Sequence, residues 1–129
     1  MRPNSYLIAL LLIAVSATAG AQDAVKSIFQ TDVGNATDQE ILVLEVNYPP
    51  GNDSPVHRHN AHTIVYVLEG SVVMQVEGSE PQTLGPGEVF YETPEDVHTV
   101  SRNASDTEAA KILVFFLKGQ GAATTEPAD

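Results

Sequence analysis

Gly51-Asn-Asp-Ser-Pro-Val-His57-Arg-His59-Asn-Ala-His62-Thr-Ile-Val-Tyr-Val-Leu-Glu-Gly70 is the stretch whose reading decides the fold. Its second half is a run of β-branched and aromatic residues that suits a pleated, half-buried surface, and it ends at Glu69-Gly70, a two-residue turn signal. A hairpin there would pair Leu68 with Ser71, Val67 with Val72, Val65 with Met74 and Thr63 with Val76. One face then carries Thr63, Val65, Val67, Val72, Met74 and Val76, an apolar set fit for a barrel interior. The other carries Ile64, Tyr66, Leu68 and Val73 beside Gln75 and Glu77, too apolar for open water, so a second sheet or a partner subunit is expected to cover it.

The histidines fall in two short segments. His57, His59 and His62 belong to the quoted stretch, and His98 follows Asp96-Val97; the sequence has four in all. Residues two apart on a strand point the same way, so the imidazoles of His57 and His59 can share one ion. Neutral imidazole suits Zn, Cu, Ni and Fe(II), and three such ligands leave positions open for water, oxygen or substrate. An H-x-H pair alone is a weak signal, since four histidines in 129 residues give about 0.1 such pair by chance. Its setting makes it specific.

Outward from this stretch, short apolar runs are separated by Gly, Pro, Asn and Asp. They span residues 40–48, 63–68, 71–77, 82–84, 88–92, 97–102 and 110–118 and read as strands of a sandwich or small barrel. Residues 106–111 have helix-forming composition but run straight into Ile112-Leu-Val-Phe-Phe116, which favours strand. Residues 22–39 are a mixed polar N-terminal segment with an apolar patch at Ile28-Phe29, 40–118 the domain, and 119–129 a small, polar, flexible tail. Ahead of them Arg2, the apolar run Tyr6–Val15 and the small residues to Ala21 read as a cleavable signal peptide, residues 1–21, with Gln22 first in the mature chain. The run is too short for a stable membrane anchor, and the pattern predicts a periplasmic or secreted protein.

Composition removes whole classes. Seventeen acidic against six basic residues, a net charge of −11, argue against nucleic acid and anionic lipid as partners. With no cysteine there is no disulfide, thiolate zinc site, thiol nucleophile or iron–sulfur cluster. Glu88, Glu92, Glu95 and Asp96 form an acidic cluster before His98 that reads first as a solvated surface and second as a set able to tune the site. Arg58, between two inward histidines, should point away from them. Asn35-Ala-Thr37, Asn52-Asp-Ser54 and Asn103-Ala-Ser105 match the short glycosylation pattern.

At this point the chain resembles the cupin superfamily, small single-domain type. The first cupin motif, G-x5-H-x-H-x(3,4)-E-x6-G, is matched by Gly51, His57, His59 and Gly70. The second, G-x5-P-x-G-x2-H-x3-N, is matched by Gly87 and His98, and Val65-Tyr-Val-Leu-Glu-Gly70 and Leu84-Gly-Pro-Gly-Glu-Val-Phe90 look like cupin text. The resemblance implies an all-β, single-domain jelly-roll (double-stranded β-helix) barrel with one divalent transition metal (Fe, Mn, Zn, Ni or Cu) held by His57, His59 and His98. Departures are evident: the motif glutamate falls on Thr63, Pro94 and Asn103 come one place late, and Glu95 replaces a glycine. His62 is the nearest substitute ligand, one residue out of phase and able to reach the ion only through a late strand start or a bulge. The alternative for the histidines is satisfied polar side chains in a metal-free cupin.

Two functions follow as expectations. The first is a metal-dependent enzyme, by resemblance a dioxygenase, acting on a small-molecule substrate in the cavity lined by Val65, Val67, Val72, Met74 and Val76. The second is a non-enzymatic periplasmic module for a metal or small ligand. In either case the apolar outer face predicts a homodimer.

Overall fold

The computed structural model describes residues 24–34 and 38–128; the expected signal peptide and the Asn35 glycosylation pattern lie outside them. The described residues form strands β1 (Ala24–Asp32), β2 (Gln39–Tyr48), β3 (His57–Arg58), β4 (His62–Glu69), β5 (Val72–Val76), β6 (Gln82–Leu84), β7 (Val89–Glu92), β8 (His98–Asn103), β9 (Ala110–Gly119) and β10 (Glu126–Pro127). They lie in two five-stranded sheets, ordered β1-β2-β9-β4-β7 and β10-β3-β8-β5-β6, with every pairing antiparallel. Of residues 106–111, helix-like in composition, the first four are irregular and the last two already belong to β9.

The hairpin expected at Glu69-Gly70 does not form. β4 pairs with β7 and β9, whereas β5 pairs with β6 and β8. At Gly70 the chain leaves one sheet for the other, which is how a jelly roll wraps. The alternation still set the facing correctly, because both strands keep their inner sides toward the same core. Thr63, Val65, Val67, Val72 and Met74 are all buried, with Val76 packed against them. The outer sets part company, however: Ile64 and Tyr66 lie on one outer surface, and Val73 belongs to the other sheet.

Gly70 makes the crossing possible. Its φ is +72°, and a Cβ there would stand 2.5 Å from the Ala109 carbonyl oxygen and 2.8 Å from Ala110 Cα. Asn103 ties the neighbouring ends: its Nδ2 lies 2.7–3.2 Å from the carbonyls of Tyr48, Pro49 and Glu108, and its Oδ1 accepts from Ser105 N at 2.9 Å. Elsewhere in the interior, Glu40 and Lys118 stand opposite each other on β2 and β9 and form a buried ion pair. Gln30 donates to the other Glu40 oxygen at 2.8 Å, and Lys118 also donates to the Ala122 carbonyl at 2.7 Å.

Both ends of the domain extend beyond their sequence-based limits. The polar N-terminal segment supplies β1, an edge strand paired with β2 through a bulge between Ser27 and Phe29. The C-terminal stretch, read as a flexible tail, returns so that Glu126 and Pro127 pair with Arg58 and His57. Neither segment alternates strongly enough to announce a strand, since each borrows its order from a neighbour. The outer side of the first sheet presents one apolar residue per strand in a continuous row, Phe29, Val43, Phe115, Ile64 and Tyr91. Phe29, Ile64 and Tyr91 in that row are exposed.

Gly70→Ala is expected to lower stability by more than the roughly 1–3 kcal/mol of a strained left-handed residue, because the clash adds to it. Gly78→Ala, at φ +79° with no atom within 4 Å of the added Cβ, carries the strain alone. Urea unfolding of the two variants measures the difference, and equal losses would mean that the crossing relaxes freely.

Candidate metal site

β3 and β8 run antiparallel with His57 directly opposite His98, so the fold joins two histidines far apart in sequence. His59 follows β3 with the same parity. Ring centroids lie 4.7 Å apart for His57 and His59 and 4.9 Å apart for His57 and His98. Taking one ring nitrogen from each, all three lie within 4.8 Å of one another, close enough to hold one metal ion. His98 is buried and stacks on Phe90, and His57 and His59 are half-buried.

Two backbone carbonyls set the tautomers. His57 Nδ1 is 2.7 Å from the Pro55 carbonyl oxygen, and His59 Nδ1 is 2.6 Å from that of Thr124. A carbonyl can only accept, so each Nδ1 carries a hydrogen and donates it. In the neutral rings both Nε2 atoms then present lone pairs, and these two atoms face each other at 3.2 Å. Lone pairs at that distance repel unless a cation lies between them. Burial pushes the His59 imidazole below its ordinary value, against the opposite pull of the Thr124 carbonyl and Glu92. A shared proton is thereby disfavoured, and a metal ion suits the pair better.

The remaining polar groups fit the same ion. Both ring nitrogens of His98 and both carboxylate oxygens of Glu92 are buried without a hydrogen bond. His98 Nδ1 lies 2.8 Å from Glu92 Oε1, within ion-pair distance but outside hydrogen-bond geometry. Buried polar atoms without partners are costly, and a metal ion would satisfy them.

His62, expected as a substitute ligand, does not join the trio. It is exposed on the outer side of β4, its Nδ1 2.7 Å from the Tyr91 hydroxyl and its ring stacked on that phenol. Neither a late strand start nor a bulge rescues it, because β4 begins at His62 and pairs regularly there. Of the acidic cluster only Glu92 turns inward. Glu88 accepts from Gly85 N, Asp96 accepts from Thr93 N, and Glu95 is exposed. The signal for Glu92 was present in the sequence: it follows Phe90 by two on a strand, so it shares the face of a buried aromatic.

The trio opens on a cavity of about 500 Å³ whose walls include Val46, Val65, Met74, Ile112 and Val114. Tyr48 and Ser101, whose hydroxyl oxygens lie 2.8 Å apart, add polar groups, and Thr124, Thr125 and Pro127 of the returning C-terminal stretch close one side. The size is ordinary for a small-molecule site, and the lining is mainly apolar.

Comparison with known proteins agrees with this geometry. The cupin domain family matches residues 44–116, more than half of the sequence. The chain belongs to the cupin family. No curated protein matches it by sequence. Among solved structures, it resembles a DMSP lyase from Ruegeria pomeroyi, at 25% identity and a TM-score of 0.60 over 71% of this chain and 44% of the lyase. The cupin thus spans under half of that enzyme. A Thermus thermophilus protein is 28% identical with a TM-score of 0.59, covering 75% of this chain and 84% of its own. A cupin-like protein from Thermotoga maritima shares 22% identity and a TM-score of 0.63, over 82% and 75% of the two chains.

Replacing His57 or His98 by Ala should weaken Zn(II) or Mn(II) binding by more than the roughly 100-fold that loss of an outer partner costs. His62→Ala should leave binding unchanged. Titration calorimetry on the apo protein checks this, and metal loss in the His62 variant would move the site.

Proposed function

We propose that this cupin is an exported enzyme that uses one divalent transition metal, held by His57, His59 and His98, on a small, largely apolar substrate. A dioxygenase is the reaction type that best suits the site. The observation that carries the reading is the pair of facing Nε2 lone pairs at the floor of an apolar cavity. A bound metal would supply Lewis-acid and oxygen-activating chemistry there. The protein's own residues do the rest. The Pro55 and Thr124 carbonyls hold two imidazoles in the ligating tautomer, and the valine and methionine walls keep water out. The Tyr48 and Ser101 hydroxyls offer the substrate a polar anchor. Export rests on the pattern of residues 1–21.

A carrier of metal or small ligand is the second reading. It is favoured by the engagement of the Tyr48 hydroxyl with Ser101, which leaves few groups for proton transfer in the cavity. The two readings part on turnover. Protein recovered from the periplasm should begin at Gln22 and carry about one transition metal per chain, by mass and elemental analysis. Oxygen uptake should then follow addition of one of a panel of phenols, diketones and thiols, with DMSP included because of the lyase likeness. Silence across that panel with metal bound would establish the carrier.

The apolar row on the first sheet fits a second copy of the chain. A molecule of net charge −11 repels itself over most of its surface, but this row is uncharged, and a two-fold axis lets it meet itself. Sedimentation should show a dimer at micromolar concentration, and Ile64→Glu should give a monomer that still binds metal. A wild-type monomer at high concentration would refute the interface.

A further inference from the structure

The motif glutamate expected at residue 63 is absent, yet a carboxylate reaches the same place. Thr63 on β4 and Glu92 at the end of β7 are directly opposed in register. Opposed residues on one face of an antiparallel pair have Cβ atoms about 5 Å apart, so a side chain from either strand can fill the space between them. Thr63 is short and fully buried, and its hydroxyl is directed to the Ala61 carbonyl. Glu92 is 2% exposed, with Oε1 2.8 Å from His98 Nδ1 and Oε2 3.5 Å from His59 Nε2.

Resting on the metal reading above, we propose that Glu92 is the carboxylate ligand of this cupin, supplied from β7 in place of the glutamate missing from β4. A buried carboxylate without a hydrogen bond is costly, and its ion-pair partners among the described residues are these two imidazoles alone. His59 turns toward Glu92 the same nitrogen that it turns toward His57. The carboxylate therefore sits at the mouth of the trio and not behind it. Neighbouring donors on one ion, each bonded at about 2.0–2.2 Å, stand roughly 3 Å apart. The spacings of 2.8, 3.2 and 3.5 Å among Glu92, His98, His59 and His57 are of that order. Three imidazoles and one carboxylate leave the site with one negative charge before metal enters, a donor set suited to a divalent ion that keeps open positions.

The test uses the full mature protein and Co(II), whose visible absorption reports its ligands. Glu92→Gln, nearly isosteric, should weaken Co(II) binding at least about 10-fold and change the cobalt spectrum. Thr63→Glu combined with Glu92→Gln should restore both, because the carboxylate returns from the opposite strand. An unchanged spectrum in Glu92→Gln, even with weaker binding, would mean that Glu92 only orients His98 and would overturn the proposal. Failure of the double variant to recover the affinity, with circular dichroism showing it folded, would overturn it as well. A wild-type protein that binds no Co(II) would instead remove the metal reading, a result distinct from these.

Discussion

Placing imidazoles and carboxylates inside an apolar barrel costs free energy unless each polar atom finds a partner, and the arrangement of this cupin follows from that constraint. β3 is only two residues long and would not hold as an isolated strand. It is kept in place by β8 on one side and by β10 on the other, so that His57 opposes His98. The C-terminal stretch is part of the same solution. Its Thr124 carbonyl accepts from His59, and its strand pairs beside His57.

Among the described residues the interior holds two clusters built on a carboxylate, and they are satisfied differently. Glu40 and Lys118 are matched within the chain, where Lys118 and then Gln30 hydrogen-bond the carboxylate and hold it below the usual range. Such a pair needs nothing from outside. Glu92, among the described residues, has ion-pair contacts to His98 and His59 alone, and neither is a hydrogen bond. The first cluster is satisfied within the chain; the second keeps buried atoms without a hydrogen bond that a cation could satisfy, which is why the functional reading falls there. Both carboxylates sit at inward positions of their strands, so alternation alone does not tell them apart. Their cross-strand neighbours do, Lys118 for one and Thr63 for the other.

Much of this was legible in the residues. The inward set Thr63, Val65, Val67, Val72 and Met74 followed from period-two alternation, which is a local property of a strand. His57, His59 and His98 followed from spacing and from their resemblance to the cupin motifs. The partner of each strand did not follow. Nothing between Leu68 and Val72 distinguishes a hairpin from a crossing to the other sheet, because both need a glycine with positive φ and both preserve the facing. β1 and β10 were missed for a related reason: they are edge segments whose order comes from the strands beside them. His62 falls outside the trio through the same parity that brings His57 and His59 together.

The sequence by itself determined which side chains face inward, that the protein is all-β, that no cysteine thiolate can serve as a ligand, and that imidazole is the chief group available to hold a metal. Those are consequences of residue type and of a two-residue period, and neither depends on what the strand pairs with. The tertiary structure alone decided which distant residues meet. It set His57 against His98, aimed the two Nε2 lone pairs at each other, and brought Glu92 of β7, opposite Thr63 of β4, beside His98 and His59. Register between strands distant in sequence depends on how the whole chain closes its core, and no local pattern carries that information.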